Sequence, residues 1–480
     1  MDYRPIFFIT GILLSTLAVS MIFPMLIDLY YNNPDWKTFF LCIIWTGFFG
    51  GILILSNVTE KFTLSIRQAF LLTSSSWIVL ALFSALPLWL SELNLSFTDS
   101  FFEAMSGITT TGSTILTDIE SAPPGILLWR AILQWLGGIG IIVMALSVLP
   151  FLKVGGMQLF RTESSENEKA MPRAAKLAGS IGFVYFGLTM ICAICYTMSG
   201  LTPFDSIAHA MTTVATGGFS TFNSSFADHQ SIWLDITAIV FMVLGGLPFV
   251  LYLKAINGNP GALFRDSQVK MFFGLITLSI FVMTLYLIMN MTIPLSEALR
   301  KSAFNVISII TGTGYVNGDY VAWGGFAVSM LFFLMVVGGC AGSTTCGIKI
   351  FRFQVLMEVA NTQFKQLLHP NGVFIPHYNG RPIPTGVPRS VIGFFFLYAL
   401  VFALLAIALS FIGLDFLTAM SGAATSLSNV GPGLGSVIGP TGTFEPLPDA
   451  AKWILCVGMI LGRLELFTLL IIFSPAFWKK

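Results

Sequence analysis

The chain alternates long apolar runs with short polar segments, and the length of the runs is the first informative quantity. A helix that crosses a bilayer needs about 20 consecutive, mostly apolar residues. Ten stretches meet that measure, centred in 5–27, 38–58, 69–90, 126–150, 178–200, 231–253, 271–291, 321–338, 391–412 and 452–474. Each predicts a spanning helix, and ten crossings place both termini on one side. The first run begins just after Arg4 and has no small-residue cleavage site before Asp28, so it reads as an uncleaved first helix.

Between the third and fourth, fifth and sixth, seventh and eighth, and ninth and tenth runs lie segments that start apolar and then turn rich in Gly and Thr. Two of them repeat at a constant offset of 106: Asp99 with Asp205, Ala104 with Ala210, Met105 with Met211, Thr110 with Thr216 and Gly112 with Gly218. A weaker third copy runs from Ser296 to Tyr315. A fourth, from Asp415 to Gly433, shares Ala419-Met420-Ser421-Gly422 with Ala104-Met105-Ser106-Gly107. Each copy predicts a short helix, capped by Asp99, Asp205, Ser296 or Asp415, followed by a glycine turn. Such a helix is too short to cross, so the chain re-enters. Non-helical backbone at membrane depth survives only where it is buried in protein or lines a watery cavity.

Four such segments imply one shared lining. Backbone carbonyls can replace the hydration shell of a cation, and turning successive carbonyls to one side needs residues that tolerate positive φ. The candidate filter and cation-binding residues are therefore Thr110, Thr111 and Gly112, Thr216, Gly217 and Gly218, Gly312, Thr313 and Gly314, and Asn429, Val430 and Gly431. The hydroxyl ring of a symmetric channel is incomplete in this set, which leaves strict selectivity more open than permeation. The short helices would also aim their partially negative C-terminal ends at the shared axis, favouring a cation there.

Composition agrees with a lipid environment. Hydrophobic residues make up 55% and charged residues only 10% of the 480-residue chain, far from the usage of soluble domains. A net charge of +1 supplies no basic stripe and excludes nucleic acid as a partner. With the N-terminus inside, the inner loops and ends hold 18 of the 24 Lys and Arg, and 15 of the 23 acidic residues fall outside. The first asymmetry supports cytoplasmic termini. The second suggests an acidic vestibule of Asp99, Glu103, Asp118, Glu120, Asp205, Asp228 and Asp415, although acids could also gather outside without a pore. The six cysteines lie in or beside apolar runs, and Cys192-x-x-Cys195 lacks the partners of a metal or redox site. The chain is not predicted to be an enzyme, since its four histidines belong to no nucleophile or metal set, and it needs no cofactor beyond a transported ion.

Two features lie below the predicted filter. Arg463 sits mid-run, too deep to reach water easily, and should face the pathway or an acid; Glu465, two residues on, lies on nearly the opposite helix face. The run at 321–338 dissolves into Gly338-Gly339-Cys340-Ala341-Gly342-Ser343-Thr344-Thr345-Cys346-Gly347, whose small residues lack helix propensity. Close helix packing is one reading of it. A flexible gate under the filter, built from Gly338, Gly339, Gly342, Ser343, Thr344 and Gly347 with Arg463, is the other. Its likeness to a phosphate loop fails, because Ile348 precedes Lys349 and no Ser or Thr follows.

Span, re-entrant helix, Thr/Gly segment and span, four times over, resembles the Trk/Ktr/HKT superfamily of potassium transporters. The extra N-terminal hairpin and Gln134-Trp135-Leu136-Gly137-Gly138-Ile139-Gly140 make the chain most similar to the bacterial Trk-type membrane subunit, as do Gly155-Gly156-Met157-Gln158-Leu159 and Phe467-Thr468-Leu469-Leu470. The resemblance implies an all-α polytopic protein of the bacterial inner membrane: a hairpin over 1–66 and pore repeats over 67–152, 153–253, 254–365 and 366–480, around one pseudo-four-fold pore. It implies potassium bound at the four filter glycines, Arg463 below them, an intramembrane gate, a homodimer, and a cytosolic nucleotide-binding regulatory subunit on the basic stretches 153–177 and 349–390. A sodium- or proton-coupled symporter and a less selective Na/K transporter stay open as alternatives.

Overall fold

The computed structural model describes residues 2–58, 65–147, 170–229, 231–291 and 293–479. The segment Gly155 to Leu159 and most of the basic stretch 153–177 lie outside the described residues.

The apolar runs form helices throughout. They are α1 Arg4–Ser20 continuing as α2 Ile22–Tyr30, α3 Trp36–Ser56, α4 Ile66–Leu90, α5 Phe97–Ile108, α6 Pro124–Ser147, α7 Ala170–Met198, α8 Pro203–Val214, α9 Ile232–Gly245 and α10 Phe249–Ile256. After a short α11 Gly261–Arg265 follow α12 Ser267–Met291, α13 Leu295–Ile310, α14 Gly325–Val336, α15 Ile350–Leu368, α16 Gly386–Phe411, α17 Phe416–Ser428, α18 Asp449–Arg463, α19 Phe467–Leu470 and α20 Pro475–Trp478. Among the described residues seven spans are long and apolar enough to cross a membrane, or up to nine if each of two bent pairs counts as one. The run at 321–338 contributes only the 12-residue α14.

Both bends correct the expectation of straight helices. The run at 231–253 turns by 93° between α9 and α10, where Gly246 and Pro248 interrupt it. The last run turns by 105° after Arg463, and Glu465 and Leu466 take positive φ of 55° and 57°. Arg463 therefore ends a helix instead of occupying the middle of one.

Burial sorts the helices by role. In α6, 72% of the span window is buried, against 22% in α3; a helix that is apolar all round and enclosed is central, whereas one left exposed faces lipid. The N-terminal hairpin closes where Gly11 and Gly50 meet, each leaving no room for a Cβ on the other. Asp28 then ties the hairpin inward by accepting the N–H of Gly125, at the start of α6, at 2.6 Å. Beyond α15 the polar stretch adds a small hairpin, β1 His377–Tyr378 antiparallel to β2 Arg381–Pro382.

Candidate functional site

The four short helices α5, α8, α13 and α17 all form. Their caps differ from expectation. Asp99 and Asp205 occupy the third helical position, and the caps are Ser96 and Thr202, whose hydroxyls accept the Asp99 and Asp205 N–H groups at 3.1 and 3.2 Å. Ser296 lies inside α13, which starts after Pro294. Asp415 alone is the predicted cap, accepting from the Thr418 N–H at 3.1 Å. A hydroxyl caps well, and an acid three residues on still complements the positive end of the helix.

At their other ends the four helices terminate alike. The residue after the last turn is left-handed in each: Thr110 (φ 53°), Thr216 (50°), Gly312 (68°) and Asn429 (53°). The next N–H then reaches back five residues, from Thr111 to the Ser106 carbonyl, Gly217 to Thr212, Thr313 to Ser308 and Val430 to Thr425, at 2.8–3.1 Å. This is a Schellman closure. It turns the N–H of each middle residue toward the helix, and the following glycine is left-handed again: Gly112 (86°), Gly218 (80°), Gly314 (77°) and Gly431 (108°). The sign of φ alternates through every triplet, and a backbone of alternating hand gathers its N–H groups on one side.

The carbonyls are left over. Of the twelve in the four triplets, only those of Gly217 and Gly431 accept a hydrogen bond among the described residues. Most of the triplet residues are buried, and a buried carbonyl without a partner costs free energy unless water or a cation meets it. The triplets also touch in sequence. A Cβ on Gly112 would overlap the Gly217 carbonyl oxygen, one on Gly218 that of Thr313, and one on Gly314 that of Val430; on Gly431 it would lie 2.9 Å from that of Thr111. First to second, second to third, third to fourth and fourth to first, the contacts close a ring. Immediately beyond it is a cavity of about 180 Å³, lined by Gly112, Gly218, Gly314 and Pro432.

Several acids of the expected vestibule are already neutralised or structural. Glu103 pairs with Arg130 at 2.7 Å and Asp99 with Lys452 at 2.5 Å, while Asp205 and Asp415 serve helix starts. Asp118 and Glu120 meet Asn223 at the cavity rim. Hydrogen bonds from Ser121 and Asn223 hold the Asp118 carboxyl below its ordinary range.

Below the ring, residues 338–347 form an irregular segment that is tied at many points. The Thr344 hydroxyl donates to the Val214 and Gly245 carbonyls at 3.1 and 3.0 Å and lies 3.1 Å from the Thr216 hydroxyl. The Phe249 N–H donates to Gly342, and the Cys340 N–H to Gly246. A single bridge joins Val337 to Ile348. Arg463, 1% exposed, donates to Cys346 Sγ at 2.8 Å, the Thr344 carbonyl at 3.3 Å and the Gly137 carbonyl at 2.5 Å, and stands over the Trp77 ring. Among the described residues no carboxylate pairs with it. Glu465 pairs with Arg352 of α15, which also stacks on Phe394. The 105° bend is what carries Glu465 to that partner. Lys349 bonds to Thr345 within the same region.

The sequence reading passed over Gln134, Arg130, Arg352 and Cys346 as site residues. Gln134 stood inside a quoted motif without a role, and nothing in helical periodicity points to a partner across the bend.

Residues 36–480 match the family model described as TrkH, cation transport protein. The chain belongs to the TrkH family. It is 45% identical, over all of this chain and 97% of the relative, to a Trk system potassium uptake protein TrkI of Halomonas elongata. It is 36% identical, over the full length of both, to a Trk system potassium uptake protein TrkH of Escherichia coli. The crystal structure of the potassium transporter TrkH from Vibrio parahaemolyticus superposes with a TM-score of 0.92 at 35% identity, covering both chains completely. Cation transport is what the family model's description names.

Proposed function

We propose that this chain is a potassium uptake protein of the bacterial inner membrane, in which four repeats surround one pathway. The twelve residues at 110–112, 216–218, 312–314 and 429–431 are its filter. The observation that carries this reading is the closed ring of left-handed glycines in which ten of twelve carbonyls accept no hydrogen bond among the described residues. Such carbonyls can take the place of water around a dehydrated monovalent cation. The relatives' printed function supports potassium as that cation.

Gly338, Gly339, Gly342, Ser343, Thr344 and Gly347, held by Arg463, form the gate in its closed state. Hydrogen bonds between Thr344 and the base of the second triplet, with the Thr216 hydroxyl donating to Thr344 and Thr344 to the Val214 carbonyl, and from Arg463 to the segment support it. The termini lie in the cytoplasm, as the basic loops favour. The functional unit is a homodimer, regulated by a cytosolic nucleotide-binding subunit that docks on 153–177 and 349–390, where α15 and the β-hairpin stand.

A less selective Na/K transporter is the second reading. It is favoured by the unequal triplets, since of the four middle residues only Thr111 and Thr313 carry a hydroxyl, against Gly217 and Val430. Rubidium uptake by cells lacking their own potassium uptake tests the filter: wild type restores it, whereas Gly112→Asp and Gly314→Asp abolish it. Equal uptake by all three would sink the four-strand filter.

A further inference from the structure

Gln134 and Arg130 stand one turn apart on α6, so they share a face. Both are buried, at 0% and 1% exposure. Gln134 donates from Nε2 to the Gly217 carbonyl at 2.6 Å and accepts the Phe219 N–H at Oε1 at 3.0 Å. A side-chain amide thus grips the second filter strand on both sides of Gly218. Arg130 continues the grip: Nη1 donates to the Ser220 carbonyl at 3.1 Å, Nη2 to the Thr114 hydroxyl at 3.2 Å and Nε to Glu103 at 2.7 Å, with the guanidinium over the Phe219 ring at 4.1 Å. Glu103 in turn accepts from the Thr114 hydroxyl and the Ile115 N–H, both at 2.9 Å. The first and second filter strands are therefore laced together along one seam.

Two other repeats are built differently. Gly137, Gly245 and Gly462 mark equivalent depths, because a Cβ on each would press on the carbonyl four residues before a filter glycine, that of Ile108, Val214 or Leu427. Three residues before these glycines stand Gln134, Met242 and Met459; seven before stand Arg130, Ala238 and Leu455. All four of the alternatives are buried and apolar.

We propose that Gln134, backed by Arg130 and Glu103, is a specificity-determining positioning residue: it fixes the second filter strand at the spacing that suits potassium and withholds the Gly217 carbonyl from full coordination of the ion. The proposal rests on the four-strand filter. Releasing the strand lets it close around a smaller cation, and the preference for potassium over sodium falls.

Gln134→Met tests it, because methionine is the residue that two other repeats carry at this depth. Purified full-length protein in proteoliposomes should still pass rubidium, with its potassium-over-sodium preference reduced by about five- to thirty-fold, the scale of one or two lost buried hydrogen bonds. Gln134→Asn, polar but too short to reach both partners, should fall in between. Should the methionine variant not fold, the asparagine variant carries the test through the potassium and sodium dependence of its melting temperature in detergent, a readout that a purely structural role would not split between the two ions. An unchanged or raised preference in the variants overturns the proposal. Gly314→Asp runs beside them: if it abolishes uptake while Gln134→Met keeps its preference, the seam is not the determinant; if it leaves uptake intact, the filter reading itself has failed.

Discussion

Replacing Arg463 by alanine removes a side chain that holds the segment at 338–347 to α18. Two of its three bonds, to Cys346 Sγ and the Thr344 carbonyl, end on that segment; the third ends on α6 at Gly137. A hydrogen bond from a charged donor contributes about 1.5–3 kcal/mol, and the 3.3 Å bond to Thr344 is long. The two segment bonds together then stabilise the closed arrangement by about 2–4 kcal/mol, and since about 1.4 kcal/mol is a factor of ten, the closed-to-open ratio falls by about 30- to 1,000-fold. Loss of a buried positive charge beside a cation path acts in the same direction. Rubidium flux into potassium-loaded proteoliposomes should rise toward that ceiling in Arg463→Ala. Arg463→Lys separates the causes: flux near wild type means that charge dominates, and flux near the alanine variant means that the guanidinium's bonds do. Alanine-variant flux equal to wild type would refute the gate.

Removal of residues 338–347 should leave a persistent rubidium leak, and tight closure after removal would exclude a plug. Glu465→Ala removes a carboxylate that pairs with Arg352; the melting temperature in detergent should drop, and the double variant Arg352→Met with Glu465→Leu should recover much of it. Ser65 and Gln68 form a reciprocal capping box at the start of α4, so Ser65→Ala should cost about 1 kcal/mol and speed amide exchange in the first turn.

The apolar runs and the repeat of the short helices were legible because both depend on local composition and spacing. The left-handed glycines were legible for the same reason: Gly112, Gly218, Gly314 and Gly431 each follow a helix too short to cross. The bend at Gly246 and Pro248 carried a signal that the run at 231–253 obscured, since proline inside an apolar helix predicts a break. The bend after Arg463 carried none, as Leu464, Glu465 and Leu466 are neither glycine nor proline; tertiary contacts impose it. Glu465 was judged by the geometry of a straight helix and so lost its partner on α15. The caps slipped by three residues because Asp, Ser and Thr all cap well, and an acid at the third helical position, where Asp99 and Asp205 stand, is as much a mark of a helix start as an acid at the cap. Gln134 could not be assigned from sequence, since its partners lie 83 and 85 residues away.

The closed ring of glycines has a consequence for how such a pore can change. A pore made of four identical subunits receives every substitution in four copies, so any overlap at a filter glycine is suffered four times. Here each of the four contacts, Gly112 on Gly217, Gly218 on Thr313, Gly314 on Val430 and Gly431 on Thr111, is encoded separately. A mutation touches a single quadrant, its cost is a quarter as large, and the tightness is uneven: the contact at Gly431 leaves more room than the other three. The looser contact does not make Gly431 an easy entry, because it also has the largest positive φ of the four, 108°, where any side chain strains the backbone; each quadrant is thus guarded by space, by backbone conformation or by both.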